Sequence, residues 1–159
     1  MIQNIKISEA TVSDSAEILK LQRAAFISEA ELYNDFNLEP LTQTLNSLEE
    51  DFKNYLFLKA EYQNEIVGSV KARETGEFCW IGRLMVAPEF QNRGIGRKLM
   101  TEIERAFPKT KLYLLATGCR SVKNIKLYGS IGYKKRDLIS DERNHDLILV
   151  KMIKSSGMA

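Results

Sequence analysis

Residues 86–100 read VAPEFQNRGIGRKLM: an apolar strand end and a proline, then Gln91, Asn92, Arg93, Gly94, Ile95, Gly96 and Arg97, then a helical pattern. The N–H groups at a helix start have no intrahelical partner, and the helix dipole places about half a positive charge there. Such a start is a ready site for a phosphate. Gly94 and Gly96 allow the backbone angles of a tight anion-binding nest and leave a phosphate room to approach, while Arg93 and Arg97 can add charge-assisted hydrogen bonds. The plainer alternative is that Gly94 turns the chain and the arginines are solvated. Two familiar phosphate motifs are absent: there is no GxxxxGK(S/T), and GIGRKL lacks both the third glycine and the distal acidic residue of a dinucleotide fingerprint. The expected anion is therefore neither a nicotinamide dinucleotide nor the β,γ-phosphates of a nucleotide.

Upstream lie three strand-like runs, YLFLKAEY (55–62), IVGSVKARE (66–74) and FCWIGRLMV (78–86). The turns between them, QNE and TGE, are short enough to join only antiparallel strands. Downstream, a helix from about Gly94 to Ala106 buries Leu99, Ile103 and Phe107 and ends at Pro108. KLYLLAT then reads as a central strand covered on both faces. Ser121 is placed to cap a helix over VKNIKLYGSI, with Val122, Ile125 and Tyr128 or Gly129 inward and Gly132 at its end. YKKRDLIS and LILVKMIK are the last strands, joined by DERNHD.

At the other end, NIKISEAT alternates as a half-buried strand does, and Ser13 or Asp14 can cap a helix carrying Ile18, Leu21 and Ala25. SEAELYNDFNLEP reads as an acidic connector to a second helix, with Leu41, Leu45, Leu48 and Phe52 on one stripe. The order of elements predicts an α/β (α+β) fold: a single mixed, mostly antiparallel seven-stranded sheet with helices on both faces.

A chain of 159 residues, 44% apolar and 28% charged, suits one domain, set at 1–154 with a frayed tail at 155–159. The formal net charge of +2 argues against nucleic acid as a partner. Cys79 and Cys119 have no neighbours at metal-ligand spacing and read as small buried residues of a reduced, cytoplasmic protein. His145, the only histidine, sits in a polar turn, so neither a metal site nor a histidine triad is expected. No apolar run approaches the roughly 18 residues of a membrane helix, and MIQNIKISEAT lacks the apolar core of a signal peptide.

QNRGIG matches the QxxGxG signature of the GNAT family of N-acetyltransferases, placed as in that family after a strand ending V-x-P and at the start of a long helix. NIKLYGSIGYKK resembles a second family pattern, Asn…Tyr-x-x-x-Gly-(Phe/Tyr), through Asn124, Tyr128, Gly132 and Tyr133. The resemblance runs from NIKISEAT to LILVKMIK and implies a GNAT-like acyl-CoA N-acyltransferase fold. It further implies acetyl-CoA as co-substrate without a metal, and acetyl transfer to a primary amine of a small molecule or protein by direct attack on the thioester. By position, the backbone of Gln91, Asn92, Arg93, Gly94, Ile95, Gly96 and Arg97 would hold the diphosphate of coenzyme A. Leu84, Met85 and Val86 would pair with the pantetheine arm, and an N–H at Leu84 or Met85 would stabilise the oxyanion.

Asn124 would bind the pantetheine or orient the acid, and Tyr128 would protonate the departing thiolate. A phenol of pKa about 10 is protonated at neutral pH and can donate to a thiolate whose acid lies near 8.5. The family's glutamate on the fourth strand has no counterpart, because Trp80 or its neighbours occupy that position, which leaves Glu77 or water as the base. That departure supports an alternative, a non-catalytic acyl-CoA-binding or regulatory module; the presence of Tyr128 and Asn124 opposes it. Glu29, Glu31, Asp35 and Glu39 suggest a cationic amine acceptor, and nothing near Cys119 marks it as an activated thiolate. The identity of the acceptor and the oligomeric state, a homodimer included, stay open.

Overall fold

The computed structural model describes residues 4–141 and 147–157. Its strands are β1 Lys6–Glu9, β2 Leu56–Tyr62, β3 Glu65–Thr75, β4 Phe78–Val86, β5 Leu112–Gly118, β6 Lys134–Ser140 and β7 Ile148–Ser155. Its helices are α1 Ser15–Ala25, α2 Ile27–Tyr33, α3 Glu39–Thr42, α4 Leu45–Asp51, α5 Ile95–Arg105 and α6 Val122–Ser130. One seven-stranded sheet has the order β1-β2-β3-β4-β5-β7-β6. Every neighbouring pair is antiparallel except β4 with β5. This is the mixed sheet the sequence predicts.

Strand parity sorts the helices into two layers. A Cβ added at Gly68 would lie 3.0 Å from Leu99 Cδ1 and 3.2 Å from Ile95 Cγ2, so the glycine lets α5 rest on β3 more closely than a larger residue would without a shift of these side chains. Lys71, of opposite parity, points to the other face, where it meets Asp51 of α4 at 3.0 Å. Phe57 is its register partner and stacks on Phe52 at 4.0 Å. On the α5 face, Arg97 donates to Ser130 Oγ at 2.8 Å and ties α6 alongside. Ile18, Leu48, Val70, Leu99, Met100, Ile103 and Met152 are almost wholly enclosed in the core.

Several local expectations change. The acidic connector contains α2 and α3, because Ile27, Ala30 and Tyr33 recur at helical spacing and Ala30 is fully buried. The single helix expected over Leu41–Phe52 is broken: Gln43 is extended, and Thr44 starts α4 by accepting the Ser47 N–H at 3.1 Å. Asp14 precedes α1, but its carboxylate turns back to the Thr11 N–H at 2.9 Å. Val122 is 69% exposed, Phe107 is only partly buried and Cys119 is exposed. Residues 142–146 of the DERNHD turn, His145 among them, and the last two residues of the tail lie outside the described residues.

Candidate active site

β4 and β5 start as a pair, with Phe78, Cys79 and Trp80 opposite Leu112, Tyr113 and Leu114, and carry no ladder beyond that point. The sheet therefore opens into a slot between residues 81–86 and 115–118. A bulge shapes its β4 wall: Ser69 pairs with Met85 and Lys71 with Gly82, so Arg83 and Leu84 together oppose Val70. Arg83 takes the left-handed φ of 53° that this requires. Past the bulge, the Ala87 N–H donates to Val67 O at 2.8 Å. Alternation along the strand then turns the amides of Val86 and Leu84 the other way, into the slot, where their N–H groups need a partner.

At the end of β4 the loop forms an N-terminal nest. Asn92 and Gly94 are left-handed, with φ of 63° and 86°. The Gln91 side chain donates through Nε2 to Val86 O at 3.1 Å and closes the loop onto the strand. Lys98 N–H bonds Gly94 O at 3.1 Å as α5 begins, which leaves the amides of Ile95, Gly96 and Arg97 free to meet an anion. Ile95 and Met85 are core side chains and can contribute only through their backbone. Arg97 is drawn to Ser130, and Arg93 lies over the Phe90 ring at 5.6 Å. A Cβ at Gly96 would meet Leu127 at 3.5 Å, Leu84 at 3.8 Å and Val86 at 3.9 Å, all ordinary contacts. The fold itself therefore does not demand a glycine at 96.

Tyr128 stands on α6 beside the slot, 7% exposed and edge-on to Tyr133 at 6.1 Å. Among the described residues nothing hydrogen-bonds its hydroxyl. Burial pushes this phenol well above its usual range, and the Glu29 carboxylate pushes it further. Glu29 arrives from α2, in the opposite helical layer. Its Oε2 accepts from Ser121 Oγ at 2.6 Å, and Ser121 Oγ also meets Tyr33 OH at 2.9 Å. Arg120 N–H donates to Tyr33 OH at 2.9 Å. A Cβ at Gly118 would run into that tyrosine hydroxyl, so the glycine is what lets α2 dock on the end of β5. Ser121, expected as a cap, spends its hydroxyl on this clasp and makes no cap bond to α6. Asn124 Nδ2 donates to Thr117 Oγ1 at 3.4 Å, one turn before Tyr128.

Leu84, Val86, the 91–97 loop, Asn124 and Tyr128 thus gather around one opening. Glu77 does not belong to it. It sits in the β3–β4 turn, 63% exposed and paired with Lys111 at 2.8 Å, seven residues and therefore roughly 20 Å up the strand from Leu84. Three of the four acids read as a cationic-acceptor rim are also engaged: Glu29 by Ser121, Glu39 by Arg83 at 2.7 Å, and Asp35 by the Asn37 N–H at 2.9 Å. Sequence reasoning missed the Glu29–Ser121–Tyr33 clasp, whose members stand 88 and 92 positions apart, and it missed Arg83. Among the described residues no cluster of three or more His, Cys, Asp or Glu can hold a metal, and no helix is long and apolar enough to cross a membrane.

Residues 17–133 match the Acetyltransferase (GNAT) family, and the chain belongs to it. The fold agrees with that of the ribosomal-protein-S18-alanine N-acetyltransferase of Escherichia coli, at a TM-score of 0.79 and 14% identity, covering 98% of this chain and 96% of that one. It also agrees with the PaiA N-acetyltransferase of Thermoplasma acidophilum, solved in complex with coenzyme A, at a TM-score of 0.78 and 18% identity, covering 96% and 99%. A curated relative, UPF0157 protein YqkA of Bacillus subtilis (strain 168), is 22% identical over 139 residues; that match takes in 87% of this chain but only 39% of the relative.

Proposed function

We propose that the chain is an acetyl-CoA-dependent N-acetyltransferase that acts on a primary amine by direct attack on the thioester. The observation that carries this is the slot itself: it runs from the free N–H groups of Ile95, Gly96 and Arg97, past the inward amides of Val86 and Leu84, to the unpartnered hydroxyl of Tyr128. Bound acetyl-CoA supplies an activated acetyl group whose thiol must be released with a proton. The helix start and the nest at Asn92 and Gly94 hold the diphosphate. Leu84 and Val86 hydrogen-bond the arm as a neighbouring strand would, and the Leu84 N–H donates to the acyl oxygen, where negative charge develops. Tyr128 keeps its proton across the neutral range and delivers it to sulfur. Since Glu77 lies far from Leu84, water carries the amine's proton away.

The test is thiol release from acetyl-CoA in the presence of a panel of amines, with the acetylated amine identified by mass spectrometry. Thiol release that depends on an amine, with the matching acetylated product, is expected. Tight coenzyme A binding with no turnover of any amine would favour the binding-module alternative.

A further inference from the structure

The β4 bulge presents a second group of side chains on the face away from α5. Arg83 Nη2 meets Glu39 Oε2 at 2.7 Å, but its Nε is buried and has no hydrogen-bond partner. Lys71, whose register partner is Gly82, donates to Asp51 Oδ2 at 3.0 Å. The same Asp51 oxygen also takes a bond from Gln43 Nε2 at 2.9 Å. Only 11% of the Lys71 side chain and 17% of the Arg83 side chain are exposed. Burial, and next the nearby Arg83 guanidinium, hold the Lys71 ammonium below its usual range. Lys71 and Arg73 lie over the Tyr55 ring at 4.3 and 5.5 Å.

Two desolvated cations of like charge sit side by side, one of them on a left-handed residue with an unused donor. Each cation has a carboxylate, Asp51 for Lys71 and Glu39 for Arg83, but the orphaned Arg83 Nε is a cost to the fold alone, since buried polar donors normally find partners. We propose that Arg83 and Lys71 bind a carboxylate carried by the amine acceptor. This rests on the acetyltransferase function proposed above and names its substrate class. The Lys71–Asp51 and Arg83–Glu39 pairs balance, and Arg73, exposed but over the same Tyr55 ring as Lys71, adds one positive charge, which suits one carboxylate better than a dianionic phosphate. Arg83 directly precedes Leu84, whose amide faces the slot, so a carboxylate at Arg83 lies close to the attacking nitrogen. That geometry favours a free amino acid over a chain N-terminus, whose α-carboxyl is tied up as a peptide amide.

The experiment pairs each of a series of amino acids with its α-carboxamide in the thiol-release assay. In parallel, calorimetry on the coenzyme A-loaded protein compares N-acetyl amino acids with their carboxamides, a readout that needs no turnover. A charge-assisted hydrogen bond corresponds to about 10- to 100-fold, so the acids should lead their amides by that factor, mainly through KM. Arg83→Gln should erase the difference, and Lys71→Gln, which leaves the bulge untouched, should reduce it. Equal use and equal binding of acids and amides, or a preference that survives in both variants, would overturn the carboxylate site. Absence of turnover with every amine would instead overturn the acetyltransferase function, and the calorimetric preference would still decide the carboxylate site.

Discussion

Replacing Tyr128 with phenylalanine removes one oxygen from a buried ring, and the structure sets its effects on stability and on rate separately. The hydroxyl has no hydrogen-bond partner among the described residues, and the ring keeps its edge contact with Tyr133 at 6.1 Å. Orphaning a buried partner costs about 1–3 kcal/mol, whereas deleting an unpaired hydroxyl is close to neutral. The unfolding free energy in urea should therefore move by no more than about 0.5 kcal/mol. For the rate, a positioned general acid is worth roughly 10²- to 10⁴-fold, or about 3 to 5.5 kcal/mol of barrier, and all of it should appear in kcat. Burial and then Glu29 raise the phenol's pKa. Its protonated form therefore persists above the ordinary tyrosine value of about 10, and this group should cause no fall in wild-type kcat as pH rises toward it. The assay is steady-state thiol release at saturating acetyl-CoA, with coenzyme A affinity measured by calorimetry. A variant whose kcat stays within about threefold of the parent would remove Tyr128 as the acid and leave water as the proton donor.

Three further outcomes are expected. Gly96→Ala should keep its melting temperature, because a Cβ there meets nothing closer than 3.5 Å, whereas Gly96→Glu should lose measurable coenzyme A affinity in calorimetry; unchanged affinity in Gly96→Glu would displace the diphosphate from the loop. Gly68→Ala should lose about 1–3 kcal/mol in urea denaturation, since its Cβ would press to 3.0 Å on Leu99 and 3.2 Å on the Met85 carbonyl; a loss below about 0.5 kcal/mol would mean that α5 is free to lift. Thiol titration at pH 8 should label Cys119 promptly and Cys79 only after unfolding, because Cys79 is fully buried and burial pushes its thiol up to about 12; prompt labelling of both would show that the sheet opens at β4.

The sequence by itself determined the β2–β3–β4 meander, the glycine-bearing loop and α5, because side-chain alternation, short polar turns and a glycine pair at a helix start act within a few residues of one another; for α6 it left Tyr128 or Gly129 inward, and packing chose Tyr128. Side-chain partnership over long separations was beyond its reach. That SEAELYNDFNLEP coils into helices depends on Ala30 being buried under tertiary contacts, and the acids there read as a free rim until Glu39 is seen on Arg83 and Glu29 on Ser121. Glu77 looked close to the chemistry in sequence, but an extended strand carries it away from Leu84 at about 3.3 Å per residue. The slot itself arises where β4 stops pairing with β5, a strand that begins more than 25 residues after β4 ends; neither strand's own pattern shows where the pair separates. Such features exist only once packing has fixed the backbones, because a charge, a hydroxyl or an unpaired amide has a function only through what it faces.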